Sequence, residues 1–214
     1  MTRDAERLTR SREEPIVGAL PDAPGIVTAL ELTPGLGRHL RGLADELLVH
    51  DFPGSTLTRA EREMLATAVS AANDCFFCMD SHGAHARALL EHAGTIEAIP
   101  LIDRIKVGSS EGFDAKMCSL LAIARIVGGD ARELTVSDVD AARQGGATES
   151  DIQLAVLIAA AFSMYNRMVE GFRARTAPSI EAYRARAAEI VTDGYGGRPA
   201  LADALAGPSR AGQG

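Results

Sequence analysis

The run from Ile152 to Phe162 sets the strongest condition on the fold, because nearly every side chain in it is apolar. Thr148, with Asp151 three residues on, marks a helix start: each side chain can take up a backbone N–H that the first turn leaves free. A helix apolar around most of its circumference must be buried on most sides. The rest of the chain has to wrap it, and what remains uncovered can serve as a subunit interface. Asn166, Arg167 and Glu170 are read as polar residues where this helix emerges.

The wrapping elements also read as helices. Thr33 and Pro34 are an N-cap followed by proline at the first helical position, with Leu36, Leu40, Leu43 and Leu47 at helical spacing before Pro53–Gly54. Thr58 and Glu61 form a capping box ahead of the stripe Met64, Leu65, Ala68, Val69 and Ala72. Glu63 lies beside that stripe with Thr67 and Ser70. A short helix is expected around Ile96 to Ile105. Another should run from about Glu111 to Val127, capped by Ser109 or Ser110, with Phe113, Met117, Leu120, Leu121 and Ala124 inward and Gly128–Gly129 as its stop. Thr135 to Gln144 and Ser179 to Thr192 complete the set, the latter with Tyr183, Ala187, Ile190 and Val191 on one side. Segment 135–168 loosely echoes 58–82, a hint of two similar lobes. No segment alternates with period two for long enough to be a strand.

The expected architecture is all-α, a single helical domain over residues 16–195. Residues 1–15 carry eight charges and read as a mobile arm. Residues 16–31, punctuated by Pro21, Pro24 and Gly25, suggest an extended surface stretch with room for one short helix. The glycine-rich residues beyond 194 suggest a loosely ordered tail.

Apolar residues make up 46% of the 214 and charged residues 24%, which suits a globular protein with a sizeable core. A formal net charge of −7 argues against nucleic acid and anionic membrane as partners. An odd cysteine count, three, does not suggest a secreted disulfide framework. With no signal-peptide pattern and no evident membrane span, the expectation is a cytoplasmic protein.

The chemistry concentrates in Asn73-Asp74-Cys75-Phe76-Phe77-Cys78-Met79-Asp80-Ser81-His82. Asn73 or Asp74 can cap a helix, which would put Cys75 in its first turn and Cys78 one turn on. At about 100° per residue, Cys75, Cys78, His82 and His85 share one face. The partial positive charge of the helix start favours a thiolate, and by position alone favours Cys75. His82, four residues after Cys78, is placed to exchange a proton with that sulfur. Two thiols this close can form a disulfide and reopen, which fits peroxide reduction or disulfide exchange. Zinc fits less well. The four candidate ligands lie on one continuous face, Cys75 and His85 are about 15 Å apart along it, and no second CxxC completes a site. No metal or organic cofactor is expected. His39 and His50 read as surface residues, His92 as a structural residue at a helix end, where it suits the dipole, and Cys118 as core packing. His85 either belongs to the site or rims it.

Glu63-x11-Cys75-x-x-Cys78-x3-His82 resembles the motif of the alkyl hydroperoxidase D (AhpD) family, related to the carboxymuconolactone decarboxylase family. The flanking words fit as well: Leu57-Thr58, Arg62, Ala68-Val69-Ser70, Phe162 and Asn166-Arg167-Met168. The resemblance spans roughly residues 34–195 and is closest to the peroxidase-related branch. It implies an AhpD-like helical bundle with the CxxC at a helix N-terminus and no cofactor, assembled as a homo-oligomer, trimer or hexamer. It also implies a thiol peroxidase in which Cys78 attacks the peroxide and Cys75 resolves the intermediate. A disulfide-reducing protein or small thiol would then restore the dithiol, and His82 and Glu63 would relay protons. The best-described members carry a histidine just before the second cysteine, and here that position is Phe77. This departure favours a general disulfide oxidoreductase as the alternative; two readings of other classes are a non-catalytic redox sensor and, with no use for the CxxC, a carboxymuconolactone decarboxylase-type lyase.

Overall fold

The structure, a computed structural model, describes residues 17, 20, 21, 23–177 and 179–196. The arm expected at 1–15 and the tail beyond 196 lie outside these residues. Among the described residues every regular element is helical. The nine α-helices are α1 (Ile26–Leu32), α2 (Pro34–Leu48), α3 (Arg59–Ala72), α4 (Phe76–Ala93), α5 (Ile99–Lys106), α6 (Ala115–Gly128), α7 (Val136–Gln144), α8 (Glu149–Gly171) and α9 (Ile180–Asp193).

Local sequence chemistry explains most of the boundaries. Capping boxes open α3 at Thr58 with Glu61, α7 at Thr135 with Asp138, and α8 at Thr148 with Asp151. Gly94 ends α4 in the left-handed conformation, φ 74°. One boundary moves: α6 begins at Ala115, capped by the Asp114 carboxylate on the Met117 N–H, so Ser109 to Glu111 lie in the preceding loop. The aspartate wins because it sits next to the first residue with apolar periodicity. In α2 the buried residues are Leu40, Ala44, Leu47 and Leu48, while Leu36 and Leu43 face out; the inward stripe is rotated from the one that leucine spacing alone indicates.

Helix α8 is the central element. Leu154, Ala155, Ile158 and Ala159 are fully buried, and it packs on α3 and α6. By length and mean hydropathy it could span a membrane, contrary to the sequence reading, yet most of it is enclosed by the other helices, as expected of a core helix. Asn166, expected where the helix emerges, is buried instead: its amide donates to Ser70 Oγ at 3.1 Å and its oxygen accepts from Asn73 at 3.0 Å. At the other end, the buried Asp151 accepts bonds from Ser55 Oγ, Thr56 N and Thr56 Oγ1 at 2.7–2.9 Å, tying loop 53–58 to the start of α8. Fixed donors of this kind outweigh burial and hold its carboxyl at about 2.

The α3–α4 hairpin positions the site. Asp74 has φ 53°, the left-handed conformation that an aspartate tolerates. The Cys75 N–H reaches back to the Ser70 carbonyl at 3.0 Å, a Schellman-type closure of α3. Two antiparallel helices joined so tightly bring residues at similar distances from the turn side by side. Glu63 lies about 14 Å below the end of α3 and His82 about 10 Å along α4, so the two meet at nearly one level.

Candidate active site

The hairpin closure shifts the register of the cysteines by one residue. Cys75 is itself the N-cap of α4, and Phe76 is the first helical residue. Asn73 caps the C-terminus of α3 instead. Cys78 therefore occupies the third position of α4, within the turn where the helix end's partial positive charge acts. Cys75 is enclosed, and a hydrogen bond with Cys78 together with burial pushes its thiol well above the usual range. The first-turn position expected for Cys75 is thus corrected to the N-cap. Both thiols are free and buried, Cys75 at 0% and Cys78 at 2% exposure. Cys118 stands apart, its thiol on the carbonyls of Ser110 and Phe113.

Cys78 reaches space that Cys75 does not. It lines a narrow apolar recess of about 50 Å³ with His82, Phe162, Tyr165 and Tyr195. The recess shares Ile26, Leu30, Arg41, His82 and Tyr195 with a cleft of about 470 Å³ between α1, α2, α4 and α9. That volume falls in the range of small-molecule sites. Phe77 forms part of the cleft wall, 5.7 Å from the Tyr183 ring, centroid to centroid. Directly above it Gly25 has φ 55°, and any Cβ there would lie 2.2 Å from the Phe77 ring. Phe77, just before the second cysteine, thus does packing work.

Glu63 is 1% exposed, and its carboxylate is the hub of the polar cluster. His82 Nδ1 lies 2.7 Å from Oε2, and the Tyr195 hydroxyl donates to Oε1 at 2.7 Å. His85 Nδ1 is 2.9 Å from the Tyr195 oxygen and 3.7 Å from Glu63 Oε2. Burial alone would raise the Glu63 carboxyl, but the charge and hydrogen bond of His82, with support from His85, hold it at about 2. Burial lowers the basicity of His85. Phe162 presents its ring edgewise to His82 at a centroid distance of 4.5 Å.

The structure brings together all four residues singled out from the sequence and adds His85 and Tyr195. His85 was legible as lying on the same helical face. Tyr195 was not, because it lies in the glycine-rich stretch read as loose. Glu63, His82 and His85 place one donor atom each within 4.8 Å of the others, a possible metal-ligand set different from the cysteine-based one considered above. The 2.7 Å from His82 to Glu63 is a hydrogen bond, shorter than the about 3.3 Å between two ligands of a tetrahedral zinc. As arranged, the cluster is a hydrogen-bonded network centred on the Glu63 carboxylate.

Residues 34–116 match the carboxymuconolactone decarboxylase family. A search of curated proteins finds no match. Two solved structures share the fold. One is the AhpD core of an uncharacterized peroxidase-related protein from Ralstonia eutropha JMP134, with 27% identity and a TM-score of 0.64 over 78% of this chain and 82% of that one. The other is an uncharacterized peroxidase-related protein from Silicibacter sp. TM1040, with 22% identity and a TM-score of 0.63 over 75% and 78%. The chain therefore shares the all-helical fold of the AhpD core, and its residues 34–116 are similar to the carboxymuconolactone decarboxylase family.

Proposed function

We propose that this protein is a thiol peroxidase that reduces alkyl or hydrogen peroxide through a Cys75–Cys78 dithiol–disulfide cycle. The observation that carries the reading is the recess that Cys78 shares with His82, whose other side is held by the buried Glu63 carboxylate. His82 takes the Cys78 proton, and the thiolate attacks the outer peroxide oxygen. The O–O bond breaks, Cys78 becomes a sulfenic acid, and the departing alkoxide or hydroxide takes the proton back from His82. The Cys75 thiol then attacks the sulfenic sulfur, an S–S bond forms and water leaves. Two electrons from a small thiol or a disulfide-reducing protein reopen the bridge and complete the cycle. The reaction requires no metal or organic cofactor. Homo-oligomeric assembly is a further part of the reading and rests on the family resemblance, while action in a reducing, cytoplasmic setting rests on the need to recycle the dithiol.

A second reading is general thiol–disulfide exchange with little peroxidase activity. Phe77 favours it: the position holds an apolar wall where a further proton carrier would assist the leaving oxygen. One titration separates the two. Reduced protein is treated with one equivalent of tert-butyl or cumene hydroperoxide, and disulfides and sulfenates are mapped by mass spectrometry. The peroxidase reading expects rapid loss of two thiols, Cys75 linked to Cys78, and Cys118 free. It also expects no peroxide consumption by Cys78→Ser and a trappable Cys78 sulfenate in Cys75→Ser. Reaction with a small disulfide but not with peroxide would shift the assignment to exchange, and inertness to both would leave the cysteines structural.

A further inference from the structure

Tyr195 approaches Glu63 from the opposite end of the sequence, in the turn that follows α9. We propose that Tyr195 is a positioning residue of the proton relay: by occupying one oxygen of Glu63 and giving His85 a nearer acceptor, its hydroxyl, which lies 3.3 Å from His82 Nδ1, leaves the other oxygen as the shorter partner of His82. The proposal rests on the reading of Glu63 and His82 as a relay that serves Cys78.

The bond directions follow from counting protons. The hydroxyl has one hydrogen, and it goes to Glu63 Oε1 at 2.7 Å. Its oxygen then accepts Nδ1–H of His85 at 2.9 Å. The second carboxylate oxygen accepts Nδ1–H of His82 at 2.7 Å. With the hydrogen on Nδ1, the Nε2 lone pair of His82 is the one left to receive the proton of a thiol in the shared recess. His85 Nδ1 is 3.7 Å from that same Oε2. Without the phenol, His85 Nδ1 would lose its 2.9 Å acceptor and turn to Glu63, where it would compete with His82.

The mount is as specific as the contact. The Asp45 carboxylate on α2 accepts the backbone N–H of Tyr195 at 2.6 Å and of Gly196 at 2.8 Å. Gly194 turns with φ 69°, where a Cβ would lie 2.8 Å from Asp45 Oδ1. Other charged groups face the cluster. Arg59 of α3 is committed to the Ile190 and Val191 carbonyls, and Arg186 of α9 is paired with Glu189; both also act on Tyr195 through their charge. Arg41 of α2 lines the same recess. Burial and the Glu63 charge push the phenol well above its usual range, so it remains a donor throughout the neutral region.

The test is Tyr195→Phe, which removes only the oxygen, read in two ways that need no peroxide. The first is long-range ¹H–¹⁵N NMR of the histidine rings. His82 is expected in the Nδ1–H form in the parent and in a mixture of forms in the variant. The second is the rate of Cys78 alkylation by iodoacetamide from pH 5 to 9, measured by mass spectrometry. As His82 loses its exclusive hold on Glu63, the acid limb should move to higher pH by about one unit. Labelling would then be about tenfold slower near pH 6 and nearly unchanged at pH 9. An unchanged His82 form with an unshifted profile overturns the proposal, as does an equal slowing at every pH, the mark of a merely structural role. If the NMR and alkylation changes appear in a protein that consumes no peroxide, the relay geometry stands and the peroxidase reading falls. If peroxide is consumed and Tyr195→Phe matches the parent in both readouts, only the role of Tyr195 falls.

Discussion

Replacing Glu63 by glutamine removes one charge and keeps the shape of the side chain. The folded carboxyl titrates at about 2, against an ordinary 4.5, because His82 and His85 outweigh the cost of burial. The difference corresponds to about 3 kcal/mol of stability linked to the ionised form. Since the folded value is depressed, that stability is fully present above about pH 4.5 and is lost as pH falls toward 2. An amide has no such proton to take up. Glu63→Gln should therefore be less stable than the parent by about 2–3 kcal/mol at pH 7, where a buried charge-assisted pair has been broken. It should also lose less stability between pH 5 and pH 2.5, so the two proteins converge in acid. Urea unfolding followed by far-ultraviolet circular dichroism at pH 7, 5 and 2.5 measures this directly. The amide also presents hydrogens where His82 Nδ1–H needs an acceptor, so Cys78 reactivity at neutral pH should fall by about 10²-fold or more. Unfolding curves offset by the same amount at every pH, with thiol reactivity intact, would refute the claim that the histidines hold Glu63 ionised.

Two further substitutions probe the frame around the site. Asp151→Asn keeps one acceptor oxygen but loses the charge-assisted bonds to Ser55, Thr56 and Thr148, and should destabilise the protein by about 2 kcal/mol at pH 7. Because the folded Asp151 carboxyl is also depressed, to about 2, the difference should shrink below pH 4, and a constant difference in unfolding midpoint down to pH 2.5 would contradict this. Gly25→Ala forces a side chain into a φ of 55° and against the Phe77 ring. It should loosen α1, raising amide exchange over residues 26–32 and speeding Cys78 alkylation severalfold, while amides near Leu65 stay protected. Unchanged exchange and labelling would show that Gly25 does not hold the cleft closed.

Caps and apolar spacing are local, and the elements that depended on them were legible in the chain: the Thr58, Thr135 and Thr148 starts and the buried α8. Cys75, Cys78 and His82 were legible from their spacing on one helix and Glu63 from the family motif, and a single tight hairpin carries all four. The turn itself was less so. Asn73 and Asp74 have cap-forming side chains in either direction, and only the closure onto Ser70 decides that they end α3 and leave Cys75 as the cap of α4. That one-residue change also settles which cysteine lies within the turn carrying the helix-end charge.

Other features had no local signature. Asn166 is polar by composition and buried by position, because Ser70 and Asn73 on α3 satisfy its amide. Leu36 and Leu43 share the spacing of Leu40 and Leu47 yet face out, since the direction of a stripe depends on where α1 and α8 lie. The sequence by itself determined an all-helical chain with a dithiol and a histidine on one helix and a carboxylate on its neighbour. Only the tertiary structure placed Tyr195, 113 residues beyond His82, within hydrogen-bonding distance of that group. The reason is physical: helix spacing sets contacts within about two turns, whereas a hydrogen bond between distant segments exists only after packing has fixed both. Here the fixing group is Asp45, whose carboxylate holds the turn that carries the phenol.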